Sequence, residues 1–338
     1  MSARIAAQTT AEPVLADDWK QQLQAAITDP LQLLQALGLD GHQHRIDAHS
    51  GFALRVPQAY VAKMQHGDPH DPLLLQVLPQ LVERQPGGQL DPVADSHFMP
   101  APGLLHKYHG RALLITTGAC AIHCRYCFRR HYPYNEAGLS RARLQQVLSY
   151  LQQHEETDEV ILSGGDPLVL DDRRLSALIE ALEAVPHLRY LRFHTRLPVV
   201  LPARINSALI ALLQRSRFRI TLVVHCNHAN EIAAEEGRAL ARLQSAGITL
   251  LNQSVLLKGI NDDADTLAAL SKRLYDHHVL PYYLHCLDPV QGGMHFEVGE
   301  QRAIEIIDRL RARLPGYLLP RLVREIPHSA SKTAIFPI

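Results

Sequence analysis

The stretch ALLITTGACAIHCRYC, residues 112–127, places a short apolar run directly before three cysteines spaced Cys-x3-Cys-x2-Cys. Six largely apolar residues ending at a glycine fit a buried parallel strand, because a strand covered on both faces loses the polar and apolar alternation of a half-exposed one. Comparable runs recur at EVILSG (159–164), LRYLRFH (188–194), RITLVVH (219–225), ITLLNQSVLL (248–257) and PYYLHCL (281–287). Amphipathic stretches suited to helices begin near residues 141, 171, 203, 230, 262 and 299. Such alternation implies a parallel sheet with right-handed crossovers. Six units fall short of the eight that close a barrel, so the expected fold is α/β, an open partial (β/α)6 TIM-like barrel.

Working outward, residues 1–104 read as an N-terminal helical extension and linker. DDWKQQLQAAITDPLQLLQALGL (17–39) carries apolar residues at helical spacing, and Asp29-Pro30 is a helix start, with proline at the first helical position. The turn-rich QPGGQLDPVADSHFMPAPG (85–103) reads as the linker itself. The partial barrel is expected over 105–315 and a short C-terminal segment over 316–338.

Composition narrows the function classes. Lys plus Arg and Asp plus Glu are equal at 34 each, so no global field draws nucleic acid or an anionic membrane to the chain. No run of about 18 apolar residues occurs, and MSARIAAQTTAEPVLADDWKQQ holds no long apolar core, so a cytoplasmic protein is expected. Five cysteines among 338 residues are too few for a disulfide scaffold, and three of them in one tight group point to metal or redox chemistry in a reducing compartment.

In a parallel barrel, chemistry gathers at the carboxyl ends of the strands. The cysteine trio lies in the first such loop. SGGDP (163–167) ends the second expected strand, His194 the third and His225 the fourth; Gln253 lies within the fifth, and Asp288 follows the sixth. Three thiolates, Cys120, Cys124 and Cys127, can hold three irons of a [4Fe-4S] cluster and leave the fourth iron open. A structural zinc site would need a fourth soft ligand from a second knuckle, which the chain lacks. The remaining alternative is that the cysteines are small core hydrophobes.

The Cys-x3-Cys-x2-Cys spacing after the first strand, with Gly-Gly-Asp after the second, resembles the radical S-adenosylmethionine superfamily. The resemblance implies that the open iron chelates S-adenosylmethionine and that one electron from the cluster, itself supplied by an external donor, cleaves it to a 5′-deoxyadenosyl radical. Ser163, Gly164, Gly165 and Asp166 are then expected at the S-adenosylmethionine site, the glycines admitting close approach to its methionyl end. HKYHGRALLITTGACAIHCRYCFRRHYPY (106–134), LLNQSVLL (250–257) and PYYLHCLDPVQGGMHF (281–296) together resemble the lysine 2,3-aminomutases over nearly the whole chain.

That family also uses pyridoxal 5′-phosphate, which needs a lysine. Of the six present, Lys332 in EIPHSASKTAIFPI (325–338) occupies the family position. The resemblance further implies that Lys107, Tyr108 and Arg111 hold the cofactor phosphate. Lys107 stands where arginine is usual, which replaces a planar fork by a point charge. By the same resemblance Arg129 clamps the substrate carboxylate through its fork, Asp288 and Glu325 receive the ε-ammonium of L-lysine, and His225 and Gln253 lie near adenosine. Glu325 replaces an aspartate and so adds a methylene. S-adenosylmethionine is expected to be regenerated at each turnover.

DWKQQLQAAITDPLQLLQALGL, FALRVPQAYVAKM, CRYCFRRHYPY and the end of the chain soon after Lys332 resemble the branch of the family that makes (R)-β-lysine for elongation factor P. Elongation factor P and its lysyl ligase are therefore expected partners, and a homodimer is the expected assembly. Two readings compete. One is a stand-alone lysine or glutamate 2,3-aminomutase, although a glutamate enzyme should place a cation where Asp288 and Glu325 stand. The other is a non-catalytic iron-sulfur or zinc protein that senses redox state, which would bind no pyridoxal phosphate and tolerate Lys332→Ala.

Overall fold

The computed structural model describes residues 18–47, 50–134 and 139–336. One nine-stranded sheet organises them in chain order: β1 (Leu104–Tyr108), β2 (Arg111–Thr117), β3 (Glu159–Gly164), β4 (Tyr190–Thr195), β5 (Arg219–Val224), β6 (Thr249–Val255), β7 (Leu280–His285), β8 (Arg321–Arg324) and β9 (Thr333–Ala334). β2 to β8 pair in parallel, while β1 and β9 add antiparallel edges. The barrel is therefore open, with a strand hairpin at either margin.

The six expected strands are β2 to β7, and β8 is a seventh parallel strand that the sequence reading missed. RLVR is too short and too charged at its ends to register as an apolar run, yet Leu322 and Val323 are buried. The β1–β2 hairpin turns on His109-Gly110, where Gly110 has φ +76°. This is a two-residue turn of the kind that demands glycine. The β8–β9 hairpin brings Lys332 back beside the end of β8, because Arg324 pairs with Thr333.

Helices follow the strands as the periodicity requires. Asp172–Glu183 buries Leu175, Leu178, Ile179 and Leu182, one stripe at helical spacing, and the Asp171 side chain accepts a bond from the Arg174 amide at its start. Each buried leucine or isoleucine contributes about 1.5–3 kcal/mol, and such a cap about 1 kcal/mol. Ala264–Asp276 is built in the same way, capped by Asp263.

The N-terminal helices lie on the barrel. Pro30–Ala36 starts at the expected Asp29-Pro30 pair, with Asp29 accepting from the Leu31 amide, and its Leu33 and Leu34 join the cluster that holds Leu162 and Phe193. Arg204, fully buried, lies under the Trp19 ring at 4.6 Å. The 85–103 segment, expected as a linker, is instead ordered against the site. Gln89 bonds with Pro289 and Gln291 backbone groups, and Asp95 is 2% exposed with two cationic partners. Among the described residues no helix is long and apolar enough to cross a membrane.

Candidate active site

The loop after β2 carries the cysteines and is gripped from both sides. Toward β3, the Gly165 amide donates to Thr117 O (2.7 Å) and the Asp166 amide to Ala119 O (2.9 Å). A β-carbon at Gly165 would lie 2.2 Å from Ala119 O, and one at Gly164, which has φ +116°, 2.7 Å from Thr117 O. The glycine pair is thus required by the chain itself: it lets the end of β3 nest against the cysteine loop. Toward the extension, the Arg125 guanidinium donates twice to Glu83 (2.8 and 2.5 Å) and to Phe52 O, and Arg130 also pairs with Glu83 (2.8 Å). Removing one member of so buried a pair typically costs about 3–5 kcal/mol.

All three cysteines face one cavity of about 430 Å³. Burial, followed by the charge of the neighbouring thiols, raises Cys127 to about 11 and Cys120 well above its ordinary value. Bare thiolates at Cys120 and Cys127 are therefore costly here, and a cationic iron group would offset that cost. Among the described residues no three His, Cys, Asp or Glu side chains converge as a single-ion site does. Three thiolates on one cavity match a cluster held through one thiolate per iron, so the donor set fits that group.

The same cavity is lined by a chain of alternating charges. Lys332 Nζ donates to Glu325 Oε2 (2.9 Å); Lys107 Nζ donates to Glu325 Oε1 (3.0 Å), to Val93 O (2.7 Å) and pairs with Asp95 Oδ1 (2.6 Å); Arg129 Nε donates to Asp95 Oδ2 (2.7 Å). Burial opposes ionisation of Glu325, but Lys332 and Lys107 overcome it and hold its carboxyl at about 2. Asp288 has the reverse environment. Burial and the nearby Glu325 charge lift it to about 7, and its Oδ1 is buried without a partner among the described residues.

Three histidines on or beside the barrel strands also line the cavity. His194, His225 and His285 are all depressed by burial, His225 to about 3, so they are neutral hydrogen-bonding groups at physiological pH. Gln253 Nε2 donates to His225 Nε2 at 2.7 Å, while Nε2 of His194 and of His285 has no partner among the described residues. Buried polar atoms left unpaired cost about 1–3 kcal/mol each. With Asp288 Oδ1 they form a set of positions that a polar ligand would satisfy.

Every site residue expected from the sequence lines this cavity, from Lys107, Tyr108 and Arg111 through the cysteines and Arg129 to Glu325 and Lys332. One sits differently from expectation. Lys107 uses its three donors on Val93, Asp95 and Glu325, so it acts as an internal counter-ion; Arg111 makes no ion pair among the described residues and stacks on the Tyr108 ring at 4.7 Å. Asp166 accepts from the Leu168 and Arg196 amides and from Thr195 Oγ1, which ties β3 to β4; burial raises it to about 6. Ser163 Oγ lies 3.4 Å from Arg129 Nη1. Asp95, the hub of the charge chain, was missed because it falls in a turn-rich segment with no period to read. Cys226 and Cys286 are buried outside the trio.

Comparison with known proteins gives four concordant likenesses. The family model described as Radical SAM superfamily matches residues 114–270. The chain is 48% identical over 324 residues to the L-lysine 2,3-aminomutase of Escherichia coli (strain K12), covering 94% of each. It is 45% identical to that of Haemophilus influenzae, over 95% of this chain and 97% of the relative. With the L-lysine 2,3-aminomutase of Clostridium subterminale the identity is 33%, over 95% of this chain and 78% of the relative.

Proposed function

The chain belongs to the L-lysine 2,3-aminomutase family of the radical SAM superfamily and is an isomerase of the aminomutase type, and on that premise we propose that it converts L-lysine to (R)-β-lysine with pyridoxal phosphate held by Lys332. Membership of the superfamily implies a [4Fe-4S] cluster and S-adenosylmethionine. One observation carries the proposal: the amine of Lys332 and the three cysteines face the same cavity.

When bound, S-adenosylmethionine at the cluster supplies a hydrogen-abstracting carbon radical, and pyridoxal phosphate supplies a carbonyl that carries the migrating nitrogen. The chain's own residues do the rest. Cys120, Cys124 and Cys127 hold iron; the end of β3 at Ser163–Asp166 fixes the wall beside them. Arg111 is the cation open to a phosphate, with the Tyr108 ring stacked on it and the Tyr108 hydroxyl facing Glu325. Arg129, oriented by Asp95, presents the remaining edge of its fork to a carboxylate. Asp288 and Glu325 offer carboxylates to an ammonium, which favours lysine over glutamate. The buried neutral histidines supply hydrogen bonds without repelling that ammonium and help to keep water from the reacting atoms.

Elongation factor P as the destination of the product, with its lysyl ligase and an external electron donor, completes the proposal on the strength of the sequence resemblance; a homodimeric assembly and a cytoplasmic setting are proposed with it. Reductive trapping tests the central assignment: borohydride treatment of the pyridoxal phosphate-loaded protein, followed by peptide mapping, should place the label on Lys332. Lys107 is the other lysine lining the cavity, and its donors are already engaged. A label on Lys107 or on Lys258 would remove the assignment.

A further inference from the structure

Arg196 follows β4 and is fixed from several directions. Its amide donates to Asp166 Oδ2 (2.7 Å), and its Nη2 donates to Tyr60 Oη (3.1 Å), Gln76 Oε1 (2.6 Å) and Glu231 Oε2 (2.7 Å). The rings of Tyr60 and Tyr126 lie 5.4 and 5.7 Å from the guanidinium carbon. Glu231 is fully buried and is itself pinned by the amides of Asn227 and His228. The remaining edge of the fork is aimed at the metal-binding loop: Nη1 donates to Sγ of Cys124 at 2.8 Å.

A hydrogen bond from a buried cation to a cluster thiolate stabilises negative charge on the cluster, and hydrogen bonds to sulfur, net charge and exposure are what set cluster potentials. We propose that Arg196 tunes the iron-sulfur centre, raising its reduction potential through the bond to Cys124, and that Glu231 moderates this effect by balancing the arginine charge. The step concerned is the uptake of one electron from an external one-electron reductant, [4Fe-4S]2+ going to [4Fe-4S]+, with no bond made or broken. The added charge resides on the cluster, so the Arg196 bond favours the reduced state and the Glu231 carboxylate opposes it.

The inference rests on the cluster assignment above, and the test separates the two. Full-length protein is reconstituted anaerobically without S-adenosylmethionine, its iron and sulfide are counted, and the cluster is titrated with dithionite and mediators, the reduced form being read by electron paramagnetic resonance. Arg196→Lys keeps a cation for Glu231 but loses the fork that reaches Sγ; it should move the potential to more negative values by a tenfold or greater change in the reduction equilibrium, about 59 mV for one electron. Glu231→Gln keeps Arg196 and should move it the opposite way. A purely structural role predicts no such opposed pair of shifts. Four irons per chain with an unchanged Arg196→Lys potential, or a Glu231→Gln shift that is absent or negative, overturns the inference. Should Arg196→Lys fail to fold, Glu231→Gln decides alone. Failure of the unaltered protein to take up four irons would instead overturn the cluster assignment.

Discussion

Glu325 and Lys332 sit 2.9 Å apart across the β8–β9 hairpin, which brings a residue seven positions further along the chain back onto the end of β8. The pair joins the proposed cofactor lysine to a carboxylate that also contacts Lys107. Because those two cations hold the Glu325 carboxyl at about 2, its stabilising contribution is present above the ordinary carboxyl value and is lost as pH falls toward 2. Glu325→Gln should therefore lower the thermal midpoint most at neutral pH, with the gap to wild type narrowing below about pH 4. Melting curves across that range check it; a gap independent of pH would contradict it.

Asp288 predicts the opposite sign. Its raised value, about 7, means that the folded chain keeps a proton which the unfolded chain releases, so this site's relative contribution falls as pH rises from the ordinary carboxyl value through 7. Asp288→Asn should gain stability on wild type over that interval. For catalysis the carboxylate is the form that binds an ammonium, so KM for lysine should fall as pH rises through 7 in the wild type. The asparagine variant should show no such fall, with KM raised on the order of 10- to 100-fold, the loss of a charge-assisted hydrogen bond.

Asp95 orients Arg129 and separates it from Lys107. Asp95→Ala leaves two buried cations without their shared counter-ion and should destabilise the fold by about 3–5 kcal/mol. Asp95→Asn should fold, yet raise KM for lysine by loosening the Arg129 fork. Arg129→Lys should act in the same direction, because a point charge cannot replace a planar bidentate contact. Steady-state kinetics on both variants are the check, and wild-type KM values would count against the clamp.

Gly165→Ala tests the steric account of the cysteine loop. Its β-carbon would meet Ala119 O at 2.2 Å, so the loop must move. The variant should retain its circular dichroism spectrum but bind substantially less iron; full iron loading would show that the loop tolerates the displacement.

Most of the barrel was legible because buried parallel strands write themselves as apolar runs and their helices as stripes, as at EVILSG and 172–183. The site was legible where a spacing carries chemistry, as in the cysteine trio, or where a rim position follows from strand order, as for His225 and Asp288. β8 was hidden because only Leu322 and Val323 mark it. Asp95 was hidden because its role depends on a tertiary approach of the 85–103 segment to Lys107 and Arg129, which no local pattern encodes. Arg196 could have been noticed, since it directly follows a strand end on the chemical rim; its bond to Cys124 could not. The glycine pair was legible as a close-approach signal, and in the structure it approaches the cysteine loop backbone.

The most direct test of the account is chiral mass spectrometry of L-lysine incubated anaerobically with the reconstituted protein, S-adenosylmethionine, pyridoxal phosphate and a strong reductant. (R)-β-lysine is the expected product, with none from the Lys332→Ala or Cys124→Ala protein. Unchanged L-lysine from a wild-type protein carrying both its cluster and pyridoxal phosphate would contradict it.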